Sequence, residues 1–469
     1  MTNTSHTERP NIIWLTLDSV RQDHTSMDGY HRDTTPNIQA IADSEDSVAF
    51  SSCFSHARAS ATSIPSILSG TYPSRHRTYY GDRIAFPDEL PLVAELFADV
   101  GYTTAAVSNN GYASSLTGVD RGFDEFTLLG STPIEILRSA GIRSVLKYLA
   151  NIRRHSVGFN TDFDAHSGAY LVNEIAEQKI RRADEPFFLY VHYNEPHRAY
   201  YPPLPFLDRF TDELPMSGEA AATLAMEIHH NLVEIVANGC ELDGDEMAAL
   251  KAMYDGEIAY TDERVGKLYE TIQRELGETI IVITADHGEL FGEDEMLAHK
   301  YSLHNAVLNV PMVIHGLPGL SDEGIIQHSD VMRTLLEVAG AETETIQGVD
   351  LRTESREYAI SQSPPGSIEP LLEYNPAFDQ SKFSTEAYSV IQDGEFKFVA
   401  RPDMPRFYKL PDENSDLRSE YPERAKQMEK HLSEWLATAG SRIGTGEEIH
   451  IDEQMRSRLA DLGYLDHEM

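Results

Sequence analysis

Three places in the chain carry residue types that could act together on an anionic ester. Asp18 follows the apolar run Ile12-Ile13-Trp14-Leu15-Thr16-Leu17, and the pair Asp286-His287 follows the apolar run from Thr279 to Thr284. An acid, or an acid beside an imidazole, at the end of a buried strand is held firmly enough to ligate a divalent cation. Asp286 could instead cap a helix and His287 pack in the core, but Asp18 together with Gly288-Glu289 favours a metal. The second place is the Ser-rich stretch Ala59-Ser60-Ala61-Thr62-Ser63-Ile64-Pro65. Such loops are common, yet a hydroxyl at a helix N-terminus is also a good nucleophile position, because backbone N–H groups and the helix dipole favour an anionic ester there. The third place is His299-Lys300, ahead of the apolar run Val310 to Ile314. A lysine there could neutralise charge developing on a leaving group, or could simply be solvated. The chain has only 10 lysines, which makes this one more informative than usual.

The elements that would position these residues alternate. Strand-like runs at Asn11–Leu17, Thr103–Val107, Phe187–Tyr193 and Thr279–Thr284 are separated by helical patterns at Pro36–Ala42, Leu90–Val100, Ala169–Arg182 and Asp245–Leu276. This order predicts an α/β fold, a large mixed but mostly parallel sheet flanked by helices. Ligands in such folds bind beyond the carboxyl ends of the strands. Asp18, Glu195, His197, Asp286 and His287 all fall at such ends, although they are far apart in sequence. The first catalytic domain is expected over residues 1–360. A Pro- and Ser-rich linker or long loop is expected at 361–385, and a small C-terminal α/β subdomain at 386–469. In that subdomain Asp393-Gly394 should turn a hairpin, followed by a helix from Glu420 to Ala437. The stretch from Thr132 to His166 reads as polar and is the candidate specificity loop.

Several short motifs resemble sulfatase-like members of the alkaline phosphatase superfamily. They are Leu17-Asp18-Ser19-Val20-Arg21-Gln22-Asp23-His24 with Thr35-Pro36-Asn37, then Ile67-Leu68-Ser69-Gly70-Thr71-Tyr72-Pro73 and Arg121-Gly122-Phe123-Asp124. Glu195-Pro196-His197, Tyr254-Asp255-Gly256-Glu257-Ile258 with Asp262, Thr284 through Glu293, and Phe407-Tyr408-Lys409-Leu410 follow in the family's order. The resemblance implies an alkaline phosphatase-like fold and transfer of a sulfuryl or phosphoryl group from an ester to water. It implies that Asp18, Asp286 and His287 bind a divalent metal and that Ser60, ten residues before Gly70, is the nucleophile position, with Thr62 in reserve. It further implies that His197 and His299 contact the ester, or bind a second metal with Glu195. Lys300 matches the lysine that contacts the sulfate group, and Arg58 or Arg198 could add local positive charge.

The departures from the pattern are informative. Sulfatases convert the Cys or Ser of Cys/Ser-x-Pro/Ala-x-Arg to formylglycine, but here Thr62 and Ile64 replace the third and fifth residues, which argues against conversion. Cys53 lies seven positions early and does not restore the motif. Ser19 stands where a second acid is usual, and Val107-Ser108-Asn109-Asn110-Gly111 lacks the usual Lys-x-His pair. His287 replaces the Asn common in sulfatases. Three readings follow. The leading one is a sulfuric ester hydrolase using one Ca²⁺ or Mg²⁺. The others are a phosphomonoesterase or phosphodiesterase using Zn²⁺ or Mn²⁺, and a catalytically silent protein that binds an anion or carbohydrate. The substrate would be a small-molecule or saccharide ester.

Composition bounds the rest. The 469 residues include 76 acids against 38 Lys and Arg, a formal charge of −38. With 41% hydrophobic and 9% aromatic residues the chain can build a core, so it is a folded protein with an acidic surface rather than a disordered acid. The charge argues against nucleic acid and against docking on an anionic membrane. The acids are scattered and lysine is scarce, a pattern expected of an extreme halophile, hence an archaeal source. Cys53 and Cys240 make no disulfide framework or CxxC zinc site. No apolar stretch is long enough to span a membrane, and Met1–Pro10 lacks a leader pattern, so the expectation is a cytoplasmic protein. The sequence does not set an oligomeric state.

Overall fold

The structure, a computed structural model, describes residues 9–78, 85–158 and 165–440. Fourteen strands are present among them: β1 (Asn11–Leu17), β2 (Ser47–Phe54), β3 (Thr103–Ser108), β4 (Glu125–Leu128), β5 (Phe187–Tyr193), β6 (Thr279–Ala285), β7 (Leu290–Phe291), β8 (Leu297–Ala298), β9 (Asn309–His315), β10 (Ile326–Gln327), β11 (Ala359–Ser363), β12 (Tyr388–Gln392), β13 (Phe396–Ala400) and β14 (Arg406–Lys409). Eight of them form one sheet in the order β10-β2-β9-β6-β1-β5-β3-β4. All pairings in it are parallel except those of β9 with β2 and with β6.

The central strands are mostly apolar and buried along their whole length because helices cover both faces. Every residue of β1, β5 and β6 is buried. The helix Gly244–Glu275 is 32 residues long, and its N-cap Asp243 accepts hydrogen bonds from the backbone N–H groups of Asp245 and Glu246. Register then decides what meets at the end of the sheet. Leu17 lies opposite Ala285 on one side and Tyr193 on the other, so Asp18 and Asp286 leave neighbouring strands side by side. His192 is level with Thr16, one step inside.

The small C-terminal sheet is antiparallel, in the order β11-β12-β13-β14, with the helix Pro422–Ala437 packed on it through Ala425, Met428 and Leu432. The hairpin between β12 and β13 turns at Asp393-Gly394. The sheet begins earlier than the sequence suggested. Ala359–Ser363 pairs with β12, so a boundary at 360 cuts a strand, and the expected linker over 361–385 also contains the helix Glu369–Tyr374. Ser361 is polar, but its hydroxyl donates to the Ser55 carbonyl at 2.5 Å, which ties this strand to the large domain. Residues 441–469 of the expected subdomain lie outside the described residues.

Candidate active site

The site is built at the carboxyl ends of the three central strands. Asp18 and Asp286 are fully buried, and each has one oxygen committed and one left over. Asp18 Oδ2 accepts from Asn110 Nδ2 at 2.6 Å and from the Ser60 hydroxyl at 3.2 Å. Asp286 Oδ1 accepts from the backbone N–H of His287 at 3.0 Å and of Ser19 at 3.3 Å. Asp18 Oδ1 and Asp286 Oδ2 are buried with no hydrogen-bond partner. Two orphaned carboxylate oxygens in a core are costly unless a cation sits between them.

One ligand atom each from Asp18, His192 and Asp286 lies within 4.8 Å of the others, the reach of a single divalent ion. His287 Nε2 is 3.5 Å from Asp18 Oδ1 and 3.6 Å from Asp286 Oδ2. These residues therefore fit a metal by donor chemistry and by unsatisfied valence. Without one, burial and the charge of Asp286 push the Asp18 carboxyl well above the usual carboxylate range. Burial also opposes ionisation of Asp286, but His287 and His192 outweigh it and hold that carboxyl low.

Ser60 is the first residue of the helix Ser60–Ser69. Its hydroxyl is 3.2 Å from both Asp18 Oδ2 and His287 Nε2. Ser55 and Ser63 fix the strand end behind it, both donating to the Asp286 carbonyl at 2.5 and 2.6 Å. His287 is oriented from its other nitrogen, since Nδ1–H donates to the Gly288 carbonyl at 2.8 Å. Glycine is required at 288. A Cβ there would sit 2.1 Å from the Ala306 carbonyl oxygen.

His299 and His197 continue the row of imidazoles. The ring centroids of His287 and His299 are 4.2 Å apart, and those of His299 and His197 are 5.3 Å apart. His299 Nδ1–H donates to Glu289 Oε1 at 3.0 Å, and Tyr200 holds the other Glu289 oxygen at 2.8 Å. His197 Nδ1–H donates to the Arg198 carbonyl at 2.8 Å. In all three rings the Nδ1 partner leaves Nε2 as the unprotonated nitrogen. Burial, then the neighbouring rings, keep His197 and His299 neutral, well below the usual histidine range. His287 moves the other way. Burial disfavours its charge, but Asp286 and Asp18 outweigh that and raise it.

The remaining expected residues lie around this cluster. Lys300 is exposed beside His299, and its backbone carbonyl accepts a hydrogen bond from Arg58. Arg58 is held in place by Nε donating to Ser363 at 2.9 Å, so it braces the His299 loop against β11. Thr62 faces its own helix turn, donating to the Ala59 carbonyl at 3.2 Å. Glu195 does not join the imidazoles as a metal ligand. Its Oε1 accepts from the Ser167 hydroxyl and from the N–H groups of Gly168 and Ala169, capping the helix Ala169–Ile180, and its Oε2 accepts from Asn109. A helix N-terminus satisfies this carboxylate in place of a second metal.

Sequence reasoning missed His192 and Asn110. His192 sits inside the apolar strand FFLYVHY, where its signal was one polar residue in a wholly buried run. Asn110 takes the place of the absent Lys-x-His pair and holds Asp18 directly.

The chain is similar to known proteins. A family model described as Sulfatase matches residues 10–341. The choline-sulfatase of Rhizobium meliloti is 25% identical over 369 residues, 73% of this chain and 70% of that protein. The low-salt glycan biosynthesis sulfotransferase Agl7 of Haloferax volcanii is 25% identical over 310 residues, 63% of this chain and 56% of that one. In fold, the phosphonate monoester hydrolase of Agrobacterium radiobacter superposes with a TM-score of 0.69 at 20% identity, covering 92% of this chain and 96% of that one. BT4656, solved with its substrate D-glucosamine-2-N,6-O-disulfate, gives a TM-score of 0.68 at 18% identity over 92% and 98%. The matched span holds both strand-end acids, the serine and the three imidazoles, and this chain belongs to the Sulfatase family.

Proposed function

We propose that the protein is a metal-dependent hydrolase of sulfate esters in which Ser60 is the nucleophile. The observation that carries this is the Ser60 hydroxyl, 3.2 Å from His287 Nε2 and next to two partnerless carboxylate oxygens. Asp18, Asp286 and His192 would hold a divalent cation, and His287 Nε2, facing the Ser60 hydroxyl, stays free to take its proton. Such an ion supplies Lewis-acid stabilisation of charge and lowers the pKa of a neighbouring hydroxyl.

The side chains do the rest. Ser60 gives its proton to His287 Nε2 as Oγ attacks sulfur in line, forming the Oγ–S bond while the bond to the alcohol oxygen breaks. The departing oxygen takes up, by way of solvent, the proton that His287 accepted. Water then attacks sulfur and breaks the Oγ–S bond, releasing sulfate and returning a proton to Ser60. Lys300 at the rim offsets the charge of the bound ester.

Hydrolysis of phosphate or phosphonate esters is the second reading, favoured by His287 and by the fold shared with phosphonate monoester hydrolases. One Ca²⁺ or Mg²⁺ goes with the first reading, Zn²⁺ or Mn²⁺ with the second. The saccharide substrate of BT4656 supports a sugar ester as the alcohol half. The charge of −38 and the Haloferax relative support adaptation to molar salt inside an archaeal cell. A panel of aryl sulfate, sugar sulfate, phosphate monoester and phosphonate ester, assayed with each metal in molar KCl, decides between the readings. Turnover of the phosphorus esters alone would overturn sulfatase activity.

A further inference from the structure

The most anomalous surface of the molecule lies on the helix Pro133–Ala150 and the turn Ile152–His155 that follows it. Six large hydrophobic side chains are highly exposed among the described residues, and five are on this one helix. They are Ile134 (64% exposed), Leu137, Ile142 (60%), Leu146 and Leu149. The helix is not loose. Ala140 and Ser144 are buried, Ile136, Val145 and Tyr148 pack against the main core, and Gln178 donates to Ser144 at 3.1 Å. The apolar face therefore points outward from a helix that is already docked by its other side.

The same segment inverts the charge of the protein. Residues 131–158 carry five cations, Arg138, Arg143, Lys147, Arg153 and Arg154, against one acid, Glu135, a net of +4 in a chain of −38. Glu135 is occupied in capping its own helix with Thr132. All five cations are exposed. Lys147 pairs with Glu174 and Arg154 with Glu263, while Arg138, Arg143 and Arg153 form no ion pair among the described residues. The pairs Leu137-Arg138, Ile142-Arg143 and Leu146-Lys147 repeat. Gly141, with a φ of 77°, breaks the helix in two, and on each side of the break a cation sits about 100° around from an exposed aliphatic neighbour: Arg138 borders Leu137, and Arg143 and Lys147 border Ile142 and Leu146.

We propose that this face docks the protein on an anionic lipid membrane surface, lying in the interface rather than crossing it. Exposed aliphatic residues bordered by Arg and Lys are the chemistry that binds such a surface. Among the described residues no helix is long and apolar enough to span a bilayer. The net acidity of the chain argues against membranes as a whole-molecule quantity, but contact is made by a patch. The rest of the surface would then face away. A second copy fits less well, since a two-fold contact through this face would set five cations against the same five.

The test is flotation of the full chain with vesicles of phosphatidylglycerol and phosphatidylcholine, and of phosphatidylcholine alone. It is run at the lowest salt at which circular dichroism shows the fold intact and again in molar KCl. The wild type should float with the anionic vesicles at least roughly 100-fold better than with neutral ones. Arg138→Gln/Arg143→Gln/Arg153→Gln should weaken that binding by roughly 100-fold, about 5-fold per charge. Ile142→Asp/Leu146→Asp should abolish flotation while circular dichroism shows the fold intact. At about 1 M salt, where the Debye length is about 3 Å, the arginine variant should bind like wild type, while the aspartate variant should still fail. Wild type that never floats, or an aspartate variant that floats as well as wild type, overturns the proposal. So does a wild-type dimer that Ile142→Asp/Leu146→Asp splits in the absence of any vesicle binding.

Discussion

Replacing Lys397 with methionine should destabilise the protein and disturb the loop that carries His299 and Lys300. Lys397 is fully buried on β13, and its ammonium makes three bonds. It donates to Glu413 Oε2 at 2.6 Å, to the Leu303 carbonyl at 2.6 Å and to Asn305 Oδ1 at 2.9 Å. Glu413 in turn accepts from the Asn305 backbone N–H at 2.8 Å. The ion pair thus clamps residues 303–305 to the C-terminal sheet. Burial lowers the lysine pKa from its ordinary 10.5, and Glu413 opposes that shift. Methionine fills the space but strips the buried Glu413 of its ammonium partner, which costs about 3–5 kcal/mol. Adding Glu413→Gln removes the stranded charge and keeps an acceptor for Asn305, so the double variant should be more stable than the single. The assay is urea unfolding in molar KCl followed by the fluorescence of Trp14 and Trp435. A single variant that loses less than about 1 kcal/mol, or a double variant less stable than the single, would refute the reasoning. The turnover number should fall in the single variant and recover in part in the double.

Further outcomes follow from the same geometry. His192→Ala should weaken binding of the activating metal by roughly 100-fold or more, read by titration calorimetry, because it removes one of three converging ligand atoms. Gly288→Ala should cost about 1–3 kcal/mol in urea unfolding and lower the turnover number, because the new methyl meets the Ala306 carbonyl and rotates His287 away from Ser60. His328, fully buried and donating to the Ala285 carbonyl at 2.9 Å, has its pKa lowered to about 4 by burial. The unfolded chain binds its proton at about 6.5, so this stability is present above pH 6.5 and is lost as pH falls towards 4. The loss is about 3 kcal/mol, and it should be absent from the pH dependence of His328→Asn measured by urea unfolding.

The parts of the fold that were legible are those where burial fixes the residue pattern. Mostly apolar runs marked β1, β5 and β6, and an acid at the end of such a run marked Asp18 and Asp286. The long capped helix ahead of β6 was legible from its periodicity. His192 was not, because a histidine inside a buried strand looks like core filling until register sets it level with Thr16 beside Asp18. Glu195 misled because it stands at a strand end two residues before His197, while the group it satisfies is a helix N-terminus 26 residues earlier. The segment from Thr132 to His166 read as a polar loop. Gly141, with a φ of 77°, interrupts its helix, so the apolar residues fall out of one period and the amphipathic face does not register in sequence. Its cations were likewise hidden beneath the net charge of the whole chain.

The central claim is that the Ser60 hydroxyl itself attacks the ester. It is tested most directly by comparing wild type with Ser60→Ala on the best ester of the panel, metal-loaded, with the intact mass of the wild type measured alongside. The account predicts an unmodified serine by mass and a fall in turnover of at least roughly 1000-fold in the variant, with metal affinity retained. A near-normal rate in Ser60→Ala, or a wild-type mass showing serine converted to formylglycine, would contradict it.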